Sequence, residues 1–349
     1  MRLSTLPRVR LAHLPTPLQE MPNLTKALKG PRLFIKRDDL TGLAFGGNKT
    51  RKLEYIMAEA MAHKADIIVT GAGFQSNWCT QAAAAARKLG LGAVLIKIGP
   101  EDGYDPEEYD GNHLLHFLAG AEIKVARPEN FHRVQDETME DLDKKGHRPF
   151  LLRATGSTPP GAAGYINCIL ELVSQCVDIG VGFDYLVHTS GSGGTQAGLV
   201  IGAKAFSPNM KVIASTSGSR GQAEVAENVY NIIQETLEFL GSEVKVRRDD
   251  VIVFDQYAGP GYGYMTEGKA EAVKMVAELE GIYLDPVYTA SAMACLIDLC
   301  RKGFFKARDT VVFLHSGGAA ALFPYRVPIK DFGLRKSLSW TVPPWSPIC

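Results

Sequence analysis

Asp66-Ile67-Ile68-Val69-Thr70, an alanine-dense run from Gln75 to Leu89, and Gly92-Ala93-Val94-Leu95-Ile96-Lys97-Ile98 follow one another with only short gaps. The outer segments are short and apolar along their length, and the middle one has helical apolar spacing. They read as strand, helix and strand, and strands of continuous apolar character belong to a parallel sheet covered on both faces. The alternation extends in both directions. A strand is expected at 32–36 and a helix at 50–63, then strands at 121–126 and 149–153 with helices at 75–89, 112–118, 134–145 and from Pro160 through Leu172. The second half repeats it, with strands at 185–189, 211–216, 251–254 and 310–315 and helices at 195–205, 222–240, 267–279 and 291–302. Leu3 to Leu28, with prolines at 7, 15, 17 and 22, reads as irregular, and the pattern stops after Tyr325. The expected architecture is α/β, with mostly parallel sheets in two halves and a cleft between them.

Composition narrows the function classes. Lys+Arg and Asp+Glu are both 38 in 349 residues, so no net field points to nucleic acid or an anionic membrane. No apolar window of signal-peptide or membrane-span length is evident. The six cysteines are scattered, and Cys295 and Cys300 share one apolar helical pattern, where cysteine acts as a small hydrophobe. The eight histidines show no ligand-like pairing, so no metal is expected. These features suit a soluble, cytoplasmic enzyme with reduced thiols.

Five stretches can carry chemistry. In Gly46-Gly47-Asn48-Lys49-Thr50-Arg51-Lys52-Leu53 a glycine pair presents one lysine at the start of a helix. Burial and neighbouring positive charge would help that amine lose its proton and condense with an aldehyde; the plain alternative is a surface helix cap. Ser190-Gly191-Ser192-Gly193-Gly194-Thr195 follows an apolar strand and opens a helix, which suits a monophosphate cradle. It lacks the Gly-Lys-Ser/Thr ending of a nucleotide loop, and no dinucleotide fingerprint is present. Gln75-Ser76-Asn77-Trp78 again lies between strand and helix: Ser76 and Asn77 can cap the helix, or face a cleft, and Trp78 can wall a pocket. Tyr262, among glycines, and Tyr288, in Asp285-Pro286-Val287-Tyr288-Thr289, suit acid–base work if their pKa values are lowered. His315-Ser316-Gly317-Gly318 offers the Ser316 hydroxyl to a ring nitrogen. An aldehyde, a phosphate, a ring oxygen and a ring nitrogen each find one complement, which is the set pyridoxal phosphate needs.

At these residues the chain resembles the tryptophan-synthase-β-like (fold type II) pyridoxal-phosphate enzymes, specifically the 1-aminocyclopropane-1-carboxylate deaminase/D-cysteine desulfhydrase family. The resemblance runs from about Pro7 to Tyr325, through Phe34-Ile35-Lys36-Arg37-Asp38-Asp39, the Gly46–Leu53 motif, Gln75-Ser76-Asn77, Gly191–Gly198, Leu284–Tyr288 and His315–Gly318. It implies two three-layer αβα domains: a larger, cofactor-binding one from 1–52 with 160–330, a smaller one from 53–159, and an extended tail at 331–349. It implies Lys49 as the Schiff-base lysine with Asn48 beside it, Asn77 on the cofactor's 3′-oxygen, and Gly191, Ser192, Gly193, Gly194 and Thr195 around the phosphate. Thr289 and Ser316 fall by the ring nitrogen, where neutral hydroxyls make a weaker electron sink than a carboxylate, which suits β-elimination and disfavours opening a cyclopropane. Ser76, Gln75, Asn77, Trp78, Tyr288 and the Gly156-Ser157-Thr158 turn are expected around the substrate, with Tyr262 and Tyr288 on the reacting side. The implied activity is elimination from a small sulfur-substituted amino acid, D-cysteine or L-cysteate, to pyruvate, ammonia and sulfide or sulfite, by a homodimer. An ammonia-lyase or racemase of the same fold, acting on 1-aminocyclopropane-1-carboxylate or D-serine, is the alternative, and an anion-binding protein the non-enzymatic one. Trp78-Cys79-Thr80, Ser157-Thr158-Pro159-Pro160 and Ala290-Ser291 depart from the family's usual residues at the expected pocket mouth, so the substrate stays open.

Overall fold

The computed structural model describes residues 1–106, 109–218 and 220–333. The chain begins β1 (Leu18–Glu20), α1 (Pro22–Leu28), β2 (Arg32–Lys36), α2 (Lys49–Ala62), β3 (Ile67–Gly73), α3 (Asn77–Lys88) and β4 (Gly92–Ile98). It continues α4 (Gly111–Leu118), β5 (Glu122–Ala126), α5 (Phe131–Lys144), β6 (Pro149–Leu151), α6 (Pro159–Ile179), β7 (Tyr185–Ser190) and α7 (Gly194–Phe206). Then come β8 (Lys211–Thr216), α8 (Gln222–Phe239), β9 (Ile252–Phe254), α9 (Glu267–Glu280), α10 (Thr289–Arg301), β10 (Thr310–Leu314) and α11 (Arg326–Gly333).

Two sheets result. The larger has the order β1-β2-β10-β7-β8-β9 and is parallel except for β1, which pairs antiparallel with β2. The smaller, β5-β4-β3-β6, is parallel throughout. Each is covered on both faces, as its apolar strands require. On the larger sheet α6, α7 and α8 pack on one face around Ile166, Ile201 and Val229, and α1, α9 and α10 on the other around Leu24, Val276 and Leu296. On the smaller sheet α2 and α3 cover one face through Leu53, Met57 and Ala82, and α5 covers the other through Phe131 and Leu142. The helix ends are capped as their sequences direct: Ser76, Thr158 and Thr266 accept backbone N–H groups at the starts of α3, α6 and α9, and left-handed Gly180 and Gly281 close α6 and α9.

Three expectations need correction. The segment before residue 28 is not irregular throughout, because Pro22 starts α1 and β1 joins the sheet edge; Leu11, Met21 and Leu24 are buried. Helix α6 continues past Leu172 to Ile179 and is long and apolar enough, by length and composition, to cross a membrane. It packs instead against α2 and α7, and Tyr165, Ile166, Ile169 and Leu172 lie in the core. After Tyr325 the chain forms α11, so residues 331–333 are helical; Trp340, Trp345 and Cys349 lie outside the described residues.

Candidate active site

A cavity of about 580 Å³ opens between the two sheets, at the carboxyl ends of β3, β7 and β8 and the turn after β10. Lys49 reaches it from the first turn of α2, one residue earlier in the helix than its sequence suggested. The turn before it is backbone packed on backbone. A Cβ on Gly46, whose φ is +76°, would lie 1.9 Å from the Asp39 carbonyl oxygen, and one on Gly317 would lie 2.5 Å from Gly47 Cα. Only glycine fits there. Asn48 N–H donates to the Ser316 carbonyl at 2.9 Å, and Thr50 binds Gln81 Oε1 through both its N–H and its hydroxyl, each at 2.8 Å. Among the described residues no hydrogen bond or ion pair holds the Lys49 ammonium. Burial lowers its pKa to about 8, with Asp285 acting in the opposite direction. The amine is therefore available and partly neutral near physiological pH, which a nucleophile requires.

Two residues on, Arg51 anchors the same turn from below. It is 1 % exposed and binds both Asp38 oxygens, at 2.8 and 2.9 Å, and both Glu171 oxygens, at 3.0 and 2.9 Å. Lys36, also buried, joins through Glu171 at 2.5 Å. The Lys36–Asp39 and Lys49–Lys52 motifs thus meet as one buried charge cluster, joined by α6.

The glycine loop from Ser190 lies at the amino end of α7, and Gly191, Ser192, Gly193 and Thr195 line the cavity. Gly194 does not line it: its N–H donates to Ser157 Oγ at 3.1 Å. Ser157 also meets Ser192 Oγ at 2.7 Å, so it buttresses the loop and does not face a substrate. Gly156 and Thr158 are likewise absent from the lining; a Cβ on Gly156 would strike the Trp78 ring at 2.8 Å, and Thr158 caps α6. The buried hydroxyls of Ser190 and Thr216 have no partner among the described residues, and both face the cavity. Lys52, expected as a positive neighbour of Lys49, is buried, bonds the Thr155 carbonyl at 3.2 Å and is held well below its usual pKa by burial and by Lys49.

On the opposite wall, Ser76 caps α3 by accepting the Cys79 N–H at 3.3 Å, which leaves its proton free to donate into the cavity. Gln75 and Asn77 also line the cavity, but the Gln75 amide is engaged with α4, donating to the Asp110 carbonyl and accepting from Asn112 N–H, each at 2.9 Å. Trp78 lines the cavity, as expected of a pocket wall, but from its buried side and not at the mouth. It is 1 % exposed, its indole N–H donates to Thr70 Oγ1 at 2.8 Å, and its ring belongs to the core beneath α3.

Tyr262 and Tyr288 line the cavity with hydroxyls 2.5 Å apart. Burial pushes Tyr262 up to about 12, against the lowering hydrogen bond from Tyr288, and pushes Tyr288 well above its usual value, with Tyr262 adding to the rise. This is opposite to the lowered values that sequence reading required, so at neutral pH both are proton donors and not bases. Tyr288 is held by the Asp285 carboxylate, which accepts the N–H groups of Val287, Tyr288 and Thr289 at 2.9, 2.8 and 2.8 Å. Thr289 does not reach the cavity: its hydroxyl donates to Asp285 Oδ1 at 2.6 Å, so the hydroxyl left for a ring nitrogen is that of Ser316. Asp285 also raises the Lys49 pKa electrostatically. In the cofactor-free Asp285→Asn protein, the rate at which Lys49 captures an added aldehyde is therefore expected to reach half-maximum below the wild-type pH of about 8. A pH profile of cofactor uptake checks this, and an unchanged or higher midpoint refutes it.

Phe74, Ile98, Thr155, Thr189, Ser217, Gly218 and Arg220 also line the cavity, with Ala72, Gly73 and Val225, and had no expected role. A signal for some of them was present. Thr216-Ser217-Gly218 closes and follows β8 as the other singled-out loops follow their strands: small, polar and glycine-bearing at a parallel strand's carboxyl end.

The set fits pyridoxal phosphate: an unpaired amine, a glycine loop at a helix amino end with unpartnered hydroxyls beside it, and a neutral serine in the lining. Comparison with known proteins agrees. The family model described as pyridoxal-phosphate dependent enzyme matches residues 9–317. A D-cysteine desulfhydrase of Klebsiella pneumoniae subsp. pneumoniae is 40 % identical over 326 residues, covering 93 % of this chain and 97 % of that protein; one of Salmonella typhi is 39 % identical over the same span. A solved structure described as an ACC deaminase homologue superposes with a TM-score of 0.85 at 35 % identity, covering 95 % and 97 % of the two chains. A pyridoxal 5′-phosphate-dependent aspartate racemase shares the fold alone, with a TM-score of 0.62 at 16 % identity over 87 % of this chain and 90 % of that one. The chain belongs to the pyridoxal-phosphate dependent enzymes.

Proposed function

We propose that this enzyme is a β-eliminating lyase that converts D-cysteine, with water, to pyruvate, ammonia and hydrogen sulfide. The observation that carries this reading is the unpaired Lys49 amine facing a cavity whose described lining contains no carboxylate. The bound cofactor supplies an aldehyde for the substrate amine and an electron sink for the α-carbon. Lys49 Nζ, once released, takes the α-proton. Ser76 holds the substrate carboxylate, Asn77 faces the cofactor's 3′-oxygen, and the protonated Tyr262–Tyr288 pair donates to the departing group. With Ser316 and no carboxylate available to the ring nitrogen, the sink is weak, which suits a good leaving group and disfavours cyclopropane opening or racemisation. The chain divides in this reading into a larger unit from 1–52 and 160–330 and a smaller one from 53–159, and it works as a cytoplasmic homodimer without nucleic-acid or membrane partners.

One observation favours a second substrate. Arg220 is, with Lys49, one of two cations in the described lining, close in sequence to Ser217 and Gly218, and donates to the Gly191 carbonyl of the glycine loop. A guanidinium there complements a sulfonate, as in L-cysteate, which would leave as sulfite. Assay of pyruvate, sulfide and sulfite across D-cysteine, L-cysteine, L-cysteate, D-serine and 1-aminocyclopropane-1-carboxylate, with wild type and Arg220→Gln, tests both. If D-cysteine is the substrate, sulfide equals pyruvate and the variant changes its KM little. If L-cysteate is, sulfite equals pyruvate and the variant raises its KM by about tenfold, the value of one charge-assisted bond. Pyruvate from neither sulfur substrate overturns the proposal.

A further inference from the structure

We propose that Asn112, at the second position of α4, is a positioning residue that fixes which end of the Asn77 amide faces the cavity. Asn112 is 1 % exposed and does not line the cavity. Its Nδ2 lies 3.1 Å from the Gln75 carbonyl oxygen and 2.8 Å from Asn77 Oδ1. A backbone carbonyl can only accept, so the Asn112 atom facing it is the nitrogen. That nitrogen can only donate, so the Asn77 atom facing it is the oxygen. Asn77 then has its NH₂ left over, and among the described residues that group has no other partner.

The other end of Asn112 agrees. Its Oδ1 accepts from Thr80 Oγ1 at 2.7 Å, and Thr80 Oγ1 in turn lies 2.8 Å from His116 Nε2. Nε2 also lies 3.3 Å from the Ser76 carbonyl, which places the ring proton on Nε2 and leaves Nδ1 as the unpartnered nitrogen. Burial keeps the ring neutral, its pKa lowered to about 2. Every donor in the sequence His116, Thr80, Asn112, Asn77 therefore points the same way, from α4 toward the cavity. Asn112 N–H adds a bond to Gln75 Oε1 at 2.9 Å, so α4 and the 75–77 turn move as one piece.

The consequence rests on the reading that Asn77 faces the 3′-oxygen of the cofactor. That oxygen is anionic when the lysine-linked nitrogen is protonated, and an N–H donor favours this state whereas an amide oxygen opposes it. Aspartate at 112 keeps the shape but cannot donate when ionised, so Asn77 would turn its NH₂ inward and its oxygen to the cavity. Asn77→Asp removes the same donor directly.

Cofactor-loaded wild type, Asn112→Asp, Asn112→Ala and Asn77→Asp are compared by absorption at alkaline pH and by cofactor affinity. Both aspartate variants are expected to shift the visible band of the lysine-bound cofactor toward the near ultraviolet and to bind the cofactor about tenfold more weakly. Asn112→Ala, which frees the amide to rotate, is expected to give the same shift in smaller degree, and it decides the matter if the aspartate protein does not fold. A shift in Asn77→Asp with wild-type spectra for both Asn112 variants overturns the positioning role and leaves the Asn77 reading standing. Wild-type spectra in all variants overturn both.

Discussion

Replacing Lys49 with alanine is expected to lower turnover by about 10⁴-fold, the upper range for loss of a positioned proton-transfer group, and to abolish the visible band of lysine-bound cofactor. The size follows from the surroundings. Lys49 is the amine in the described lining, and the other buried lysines are committed elsewhere: Lys36 to Glu171, Lys52 to the Thr155 carbonyl, Lys97 to the Gly73 carbonyl and Lys269 to the Tyr264 carbonyl. Tyr262 and Tyr288 cannot substitute as bases, since burial raises both. The fold should survive, because no described hydrogen bond or ion pair is lost with the ammonium. Single-turnover measurement of pyruvate formation, read beside the absorption spectrum, checks the claim. An intact lysine-bound band with turnover near wild type would show that another residue holds the cofactor.

The second large effect is on stability. Arg51→Met should destabilise the protein by about 3–5 kcal/mol, the cost of leaving buried charge uncompensated. Burial pushes the Asp38 carboxyl up, and Arg51, with Lys36 and the Tyr165 hydroxyl, overcomes it and holds the group below its usual range. Glu171 is lowered against burial in the same way, through Arg51 and Lys36. In the wild type the folded state therefore binds fewer protons than the unfolded chain around the carboxylate range, and this contribution is lost as pH falls below about 4. Without Arg51 burial dominates, the two carboxyls take up protons more readily when folded, and the penalty shrinks on acidification. The denaturant midpoint of the loaded enzyme should fall less on substitution at pH 4 than at pH 7. Equal losses at both pH values would mean that the cluster contributes packing and not charge compensation. Because Arg51 is two residues after Lys49, its loss should also disturb the first turn of α2 and lower turnover.

The sequence by itself determined the layers. Apolar strands such as Val94–Ile96 and Val311–Phe313 have no polar face to present to water, so they had to be parallel and covered on both sides, with polar, glycine-bearing turns gathered at one end. It also singled out Lys49, since a glycine pair leaves little beside that amine, and the loop opening α7, since alternating glycines and hydroxyls have few other uses before a helix. What only the tertiary structure decided is which groups remain free once neighbours are counted. Gly194, Ser157, Gln75 and Thr289 are of the right type, yet each is spent on a partner distant in sequence or on its own turn. Trp78 is drawn inward because Thr70 offers its indole an acceptor beneath α3. The tyrosine pair is raised and not lowered because burial disfavours the phenolate in both, and outweighs the hydrogen bond that Tyr288 gives Tyr262. A hydrogen bond and a desolvation cost depend on what lies within a few ångströms, and periodicity along the chain carries no record of that. Asn112 shows the same limit: one asparagine on a short helix, meaningful only because the Gln75 carbonyl can accept and cannot donate.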